Sequence, residues 1–306
     1  MSHTQIITSA LITGLLILCA CSKTEPQEPS KIEIPASDPK KPSTDTPPAE
    51  GDKPKDTPPA EGDKPKDTPP AEDKPKDTPP SIESKARIIE HKYLLTELVG
   101  QRCPTCHSFL VAFKSQKERE KDLVALITMH PSSRLSDDLY SSDAYSYLRA
   151  FQYNSVPQVV FNNLQGNRES TDDMIRRPDA IELKANLKLS GRELELELQT
   201  KLRAGQEGRV QGRQLKLLVW AIEDDVVAPQ VKSNGDWIHN YEYDGLFRGS
   251  LNGLWGDDHT LGSILRGKYT LPNKLSRADK SYLLVLVSDA NSHEVLDVTS
   301  LPLVGH

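Results

Sequence analysis

Gly100-Gln101-Arg102-Cys103-Pro104-Thr105-Cys106-His107 sets two cysteines three positions apart, directly behind a segment with strand character. Tyr93 to Val99 is apolar and rich in strand formers, and Ser108 to Lys117 carries Phe109, Leu110 and Phe113 at helical spacing. The pair therefore falls at a strand-to-helix junction, where a helix N-terminus favours the thiolate, the reactive form of cysteine. Pro104 suits an early helical position, because the N–H it lacks would have no partner there. On this reading Cys103 is the exposed attacking thiol, and Cys106, one turn inside, is the resolving thiol that releases a mixed disulfide. The same spacing is also half of a zinc site, so the remainder of the chain must decide between the two.

Working outward, Asp122 to Met129 (DLVALITM) is a short, nearly continuous apolar run and reads as a buried strand. Strand, helix and strand joined by a crossover form a parallel pair. Ser132 to Asn154 is expected to form the next helix after an inserted loop, and Ser155-Val156-Pro157-Gln158-Val159-Val160-Phe161 places a proline at the opening of a strand. This order resembles a thioredoxin-like α/β domain, assigned to residues 86–190. The resemblance implies that Pro157 is cis and packs against the disulfide, and that Val156 presents its backbone N–H and C=O to a bound substrate strand. It also marks Glu97, six residues before Cys103, as the buried acid that helps deprotonate the resolving cysteine. If buried, its pKa rises by desolvation and it can carry a proton near neutral pH; the alternative is a strand glutamate facing solvent. Asn162-Asn163 reads as a hairpin turn, and Asp172 to Leu189 as a terminal helix broken at Pro178.

After Gly191 the period changes. Glu193 to Leu198 (ELELEL) alternates strictly, and Leu215 to Ile222 and Ser281 to Val287 are buried-type strands. Strands without matching helices predict an all-β, sandwich-like domain over residues 191–306. Trp237 to Arg248 and Asn252 to Gly256 are rich in glycine and aromatics and read as a structured loop. There Trp237, His239, Arg248 and Trp255 form either a recognition surface or an aromatic loop packed under the sandwich.

The ends of the 306-residue chain add a location. Ile6 to Leu18 is a short apolar run closing in Leu18-Cys19-Ala20-Cys21-Ser22, which resembles a lipoprotein signal (residues 1–21) whose cleavage leaves Cys21 as the lipid-bearing residue; Met1 to Gln5, unusually, lacks Lys and Arg. Residues 22–85 show no apolar periodicity, and Asp45 to Lys55 repeats as Asp56 to Lys66 and again, one residue shorter, as Asp67 to Lys76. Such proline-rich repeats offer no face to bury and predict a disordered, partly polyproline-II spacer with a reach on the order of 100 Å. Once Cys19 leaves with the signal and Cys21 takes the lipid, Cys103 and Cys106 are the remaining thiols. They pair with each other, with a partner protein or with a metal. His91, His107 and His130 are available for zinc, but none completes a second spaced ligand pair, so no metal and no cofactor is expected. A net charge of −6 with no long basic block argues against nucleic-acid binding.

Leu94-Leu95-Thr96-Glu97-Leu98-Val99 running into Gly100 to Cys106, together with His239-Asn240 through Arg248 to Asn252-Gly253-Leu254-Trp255-Gly256, resembles the outer membrane protein 28-related lipoprotein family, from about Arg87 to the end. The resemblance implies a thioredoxin-like domain followed by a small β-domain on an outer-membrane lipoprotein, periplasmic or surface-exposed, and it supplies no settled substrate. The expected function is thiol-disulfide exchange on cysteine-containing envelope proteins, with an unknown redox donor and with the membrane reached through the lipid on Cys21. The rival is a non-catalytic binding or assembly lipoprotein that uses the thioredoxin fold as a scaffold; a redox-sensing module is a third reading.

Overall fold

The computed structural model describes residues 82–85, 87–136, 138–164 and 171–304, all within the compact unit Glu72–His306. Cys21, the signal over 1–21 and the repeats lie outside the described residues. The chain opens with strands β1 (Ile82–Lys85), β2 (Ile89–His91) and β3 (Tyr93–Leu98), then helix α1 (Pro104–Glu120), β4 (Val124–Met129), α2 (Ser142–Ala150), β5 (Gln158–Phe161) and α3 (Thr171–Arg176). From there it is almost all strand: β6 (Ile181–Ser190), β7 (Glu193–Leu202), a short α4 (Glu207–Val210), β8 (Leu215–Glu223), β9 (Val226–Val231), β10 (Trp237–Tyr243) and β11 (Leu246–Ser250). The last strands are β12 (Asp257–His259), β13 (Ile264–Thr270), β14 (Ser281–Asp289) and β15 (Val295–Pro302).

The described residues are thus mostly β with few helices, built on a nine-stranded mixed sheet in the order β2-β15-β14-β8-β11-β4-β3-β5, with β12 pairing to β8. β3 and β4 run parallel, as the crossover through α1 requires, and both are buried at every position. The boundary expected at residue 190 falls in the tight turn between β6 and β7, at Gly191 (φ 60°), and the main sheet is continuous across it, because β11 pairs with β4 in parallel and with β8 in antiparallel. The weld is Gly245. Its φ is +63°, a Cβ there would lie 2.0 Å from the Leu126 carbonyl oxygen, and its own carbonyl accepts from Thr128 N at 2.8 Å. Only glycine permits both the conformation and the approach.

One face of the large sheet is covered by a second, four-stranded sheet in the order β1-β6-β7-β13. Leu183, Leu187, Leu194 and Leu198 pack there against Leu217, Val219, Leu283 and Val285, a leucine-rich core between two β-layers. The opposite face is covered by α2, whose Tyr147, Leu148 and Phe151 meet Trp220, Phe247 and Leu284.

Three expectations are corrected. The helix expected over Asp172 to Leu189 ends at Arg176, and Ile181–Ser190 is a strand. Its Ile181, Leu183, Ala185, Leu187 and Leu189 are buried and alternate with polar residues, a period of two that the helix-favouring composition of the segment masks. The segment read as a structured loop instead holds β10 and β11. The spacer expected to reach residue 85 stops short of it, since Ile82–Lys85 pair with Asn186 to Leu189.

Candidate functional site

Val99 and Gly100 carry the chain off the end of β3, and Gly100 is small because a Cβ there would lie 2.7 Å from Leu135 Cβ. Cys103, in extended conformation, caps α1 and Pro104 occupies its first turn, as the spacing predicts. Cys103 and Cys106 form a disulfide with Cα atoms 5.3 Å apart. Cys106 is fully buried, and Cys103, expected to be exposed, retains only 6% of its accessible surface. The two cysteines share an apolar cluster with Val99, Leu110, Leu139 and Tyr243, onto which Val156 packs. The Val156–Pro157 peptide bond is cis, and Pro157 immediately precedes β5, which among the described residues is an edge strand of the sheet.

What closes over Cys103 is the β9–β10 hairpin, whose second strand lies in the segment expected to be a structured loop. Val231 N donates to the Gln101 carbonyl at 2.9 Å, and Gln101 Nε2 returns a bond to the Pro229 carbonyl at 3.1 Å. Gln230, itself fully buried, sends Nε2 to the carbonyls of Cys103 (3.3 Å) and Gly100 (3.4 Å), while its Oε1 accepts from the Tyr243 hydroxyl at 2.6 Å. Ser233 Oγ donates to the Pro104 carbonyl at 3.3 Å, and Tyr241 meets the His107 ring edge-on at 5.9 Å. The hairpin thus satisfies backbone acceptors around the cysteine turn that would otherwise look to water or to a bound strand. A run rich in glycine and aromatics gave no such signal; the alternation Val226, Ala228, Gln230 was the readable trace of it.

Glu97 lies beneath the disulfide turn, on β3, and is buried. Its Oε1 is 2.6 Å from Thr128 Oγ1, which is also 3.0 Å from the Asp244 carbonyl, and its Oε2 has no partner. Burial, with a smaller push from the Asp244 charge, raises its pKa to about 7 against the opposing Thr128 hydrogen bond. A single hydroxyl proton cannot serve both acceptors of Thr128. With Glu97 protonated the chain closes, its O–H donating to Thr128 and Thr128 donating to Asp244.

The three histidines considered for zinc are held apart. His91 bonds the Asp122 carbonyl and Ser300 Oγ, His107 lies on Tyr241, and His130 bonds Ser136 Oγ with its Nε2 unpartnered. Burial and the nearby charges of Arg248 and Lys274 depress His130 to about 3, so it is a neutral imidazole. The candidate recognition residues also separate. Trp255 is stacked between Tyr147 and His293, Trp237 and His239 are exposed on β10, and Arg248 is buried against Glu223.

Fold and site together define a mostly β scaffold with a disulfide at a helix N-terminus under a hairpin. The family described as outer membrane protein Omp28 matches residues 144–303, more than half of the sequence, and the chain belongs to that family; it is an outer membrane protein. Among solved structures, HBP35 of Porphyromonas gingivalis is similar in fold, with a TM-score of 0.53 at 12% identity over 70% of this chain and 76% of its own. A domain of the outer membrane lipoprotein Omp28 from the same organism aligns at 18% identity and a TM-score of 0.30, over 41% of this chain and 88% of its own. No curated protein gives a significant match.

Proposed function

We propose that this protein is a binding or assembly lipoprotein of the outer membrane, tethered through Cys21, in which residues 86–190 are a thioredoxin-like scaffold and Cys103–Cys106 is a structural disulfide. The observation that carries the proposal is the cover. Attack on a disulfide needs a thiolate in line with a sulfur, and Cys103 is buried beneath a hairpin fastened to the carbonyls of Gly100, Gln101, Cys103 and Pro104. The strand–helix–strand order, the cis bond at Pro157 and the buried acid at Glu97 support the thioredoxin-like reading of the scaffold. In this account the disulfide fixes the first turn of α1, the seat on which the hairpin rests.

Thiol-disulfide exchange is the second reading, favoured by one observation: Glu97 is a buried, half-unpartnered acid that titrates near neutrality. In that chemistry a thiolate of an envelope protein attacks Cys103, forming a mixed disulfide and releasing the Cys106 thiolate, which takes its proton from Glu97. The second thiol of the partner then displaces Cys103, leaving the partner oxidised and Cys103 and Cys106 reduced until a redox donor–acceptor system reoxidises them. Replacing Cys106 by alanine in cells distinguishes the readings. The scaffold account expects no partner joined to Cys103 by a disulfide; a discrete set of captured envelope proteins supports exchange and removes it.

A further inference from the structure

A concavity adjoins the cysteine cluster and shares Leu139, Val226 and Ala228 with it. These residues and Val227 are its apolar wall, and its volume is about 520 Å³, within the range of small-ligand sites. Its polar end is Arg248, Lys274 and Arg277.

The charges there are unequally committed. Glu223 is fully buried and saturated: its Oε2 accepts from Arg248 Nε at 2.5 Å, and its Oε1 accepts from Ser276 N, Ser276 Oγ and Arg277 N. Asp225 is paired with Lys280 at 2.5 Å. Arg248, with 8% of its side chain exposed, uses only Nε on Glu223, and among the described residues Nη1 and Nη2 make no hydrogen bond. Lys274 Nζ is held by the carbonyls of Asp138 and Tyr140 at 3.1 and 2.5 Å, and no carboxylate among the described residues neutralises it. Asp138 is the remaining carboxylate of the lining and is exposed at the rim. A buried guanidinium with two parallel N–H donors free among the described residues, beside an ammonium that none of their carboxylates neutralises, suits a carboxylate, because the donor spacing matches the two oxygens.

We infer that this cavity binds a carboxylate-bearing small molecule or chain end, held by the free edge of Arg248 and by Lys274, with a short apolar substituent against Leu139, Val226 and Ala228. The site does not depend on whether the disulfide turns over.

The test is a titration of the full chain with butyrate, acetate, butanol and inorganic phosphate, followed through the methyl resonances of Leu139, Val226 and Ala228. Butyrate is expected to bind several-fold more tightly than acetate, and butanol and phosphate to leave those methyls unmoved at the same concentrations. Arg248→Lys keeps a cation against Glu223 but loses the fork, and Lys274→Gln removes the charge while keeping an amide donor toward the carbonyls of Asp138 and Tyr140; each is expected to weaken butyrate at least roughly tenfold. If Arg248→Lys fails to fold, Lys274→Gln alone decides. No methyl shift with butyrate, equal response to butanol, preference for phosphate, or unchanged affinity in Lys274→Gln each overturns the proposal.

Discussion

Two regions of the large sheet are built on opposite economies: the part layered against β6 and β7, and the part at β3 and β4, where Glu97 and Thr128 point to that same face. On the face toward β6 and β7 the core is leucine, valine and alanine, and the far side of the small sheet carries cross-strand ion pairs such as Lys268–Glu195 and Arg266–Glu197, each at 2.7 Å. On the segment that carries α1, α2 and β5, the interior holds Glu97, Thr128, His130 and Asn163, all buried. Of five buried side-chain polar atoms without a partner among the described residues, four lie there, on Thr96, Glu97, His130 and Asn163. Unsatisfied buried groups are destabilising and seldom persist by accident. The β-layer is packed dry, while the segment around α1, α2 and β5 carries most of the buried polar atoms without a partner among the described residues.

The sharpest break in that comparison lies at the edge between the regions, at Glu223. Glu223→Ala leaves Arg248 buried without its carboxylate and strips the loop at Ser276–Arg277 of its acceptor, so we expect a loss of about 3–5 kcal/mol in denaturant unfolding. Next comes the dry core. Leu217→Ala, at a fully buried position between the sheets, should cost about 3 kcal/mol and leave reduction of the disulfide unchanged, since the two lie in different clusters.

Glu97 gives a pH-dependent contrast. Its folded pKa of about 7 lies above the unfolded value of 4.5, so the folded state holds the extra proton between those values. Its contribution is fully present below pH 4.5 and is lost as pH rises through about 7, a difference on the order of 3 kcal/mol. Glu97→Gln keeps the shape and removes that dependence, so unfolding curves of variant and wild type should converge below pH 4.5, separate as pH rises to about 7 and stay apart above it, the variant being the more stable. Asp297, which burial also raises to about 7, and His130, lowered to about 3, are common to both proteins and cancel in the comparison. Curves that stay parallel from pH 4 to 8 would show that Glu97 remains charged. The smallest effect is expected on the outer ion pairs. Lys268→Gln should move the melting temperature within experimental scatter, because solvent screens exposed pairs.

Much of this contrast was legible before any coordinates. Tyr93–Leu98, Val124–Met129, Leu215–Glu223 and Ser281–Asp289 are apolar runs of strand length between turn signals, and the cysteine spacing with Pro104 marked the start of α1. β6 was missed because leucine, lysine, glutamate and alanine favour helix, and its alternation becomes decisive only when β7 supplies a partner. The hairpin over the disulfide was missed for a different reason: what identifies Gln230, Ser233 and Tyr243 is where β9 and β10 land, more than a hundred residues from the cysteines. Long-range cover leaves little local trace. Glu97 was readable as a candidate from its offset to Cys103, but its burial depends on β4 and on Gly245 bringing Asp244 close. Arg248 stood out in the sequence, yet its two free donors follow only from the geometry of Glu223.

The central claim is that the hairpin makes Cys103–Cys106 a covered, structural bond. Its most direct test is the rate at which dithiothreitol reduces that disulfide in the native protein, compared with a Gln230→Ala/Ser233→Ala variant that removes the hairpin's side-chain bonds to the carbonyls of Gly100, Cys103 and Pro104 and so loosens its hold on the cysteine turn. The account predicts reduction at least roughly tenfold slower in the native protein, because local opening must come first. Equal rates, with the native disulfide reduced as readily as in the loosened variant, would contradict it.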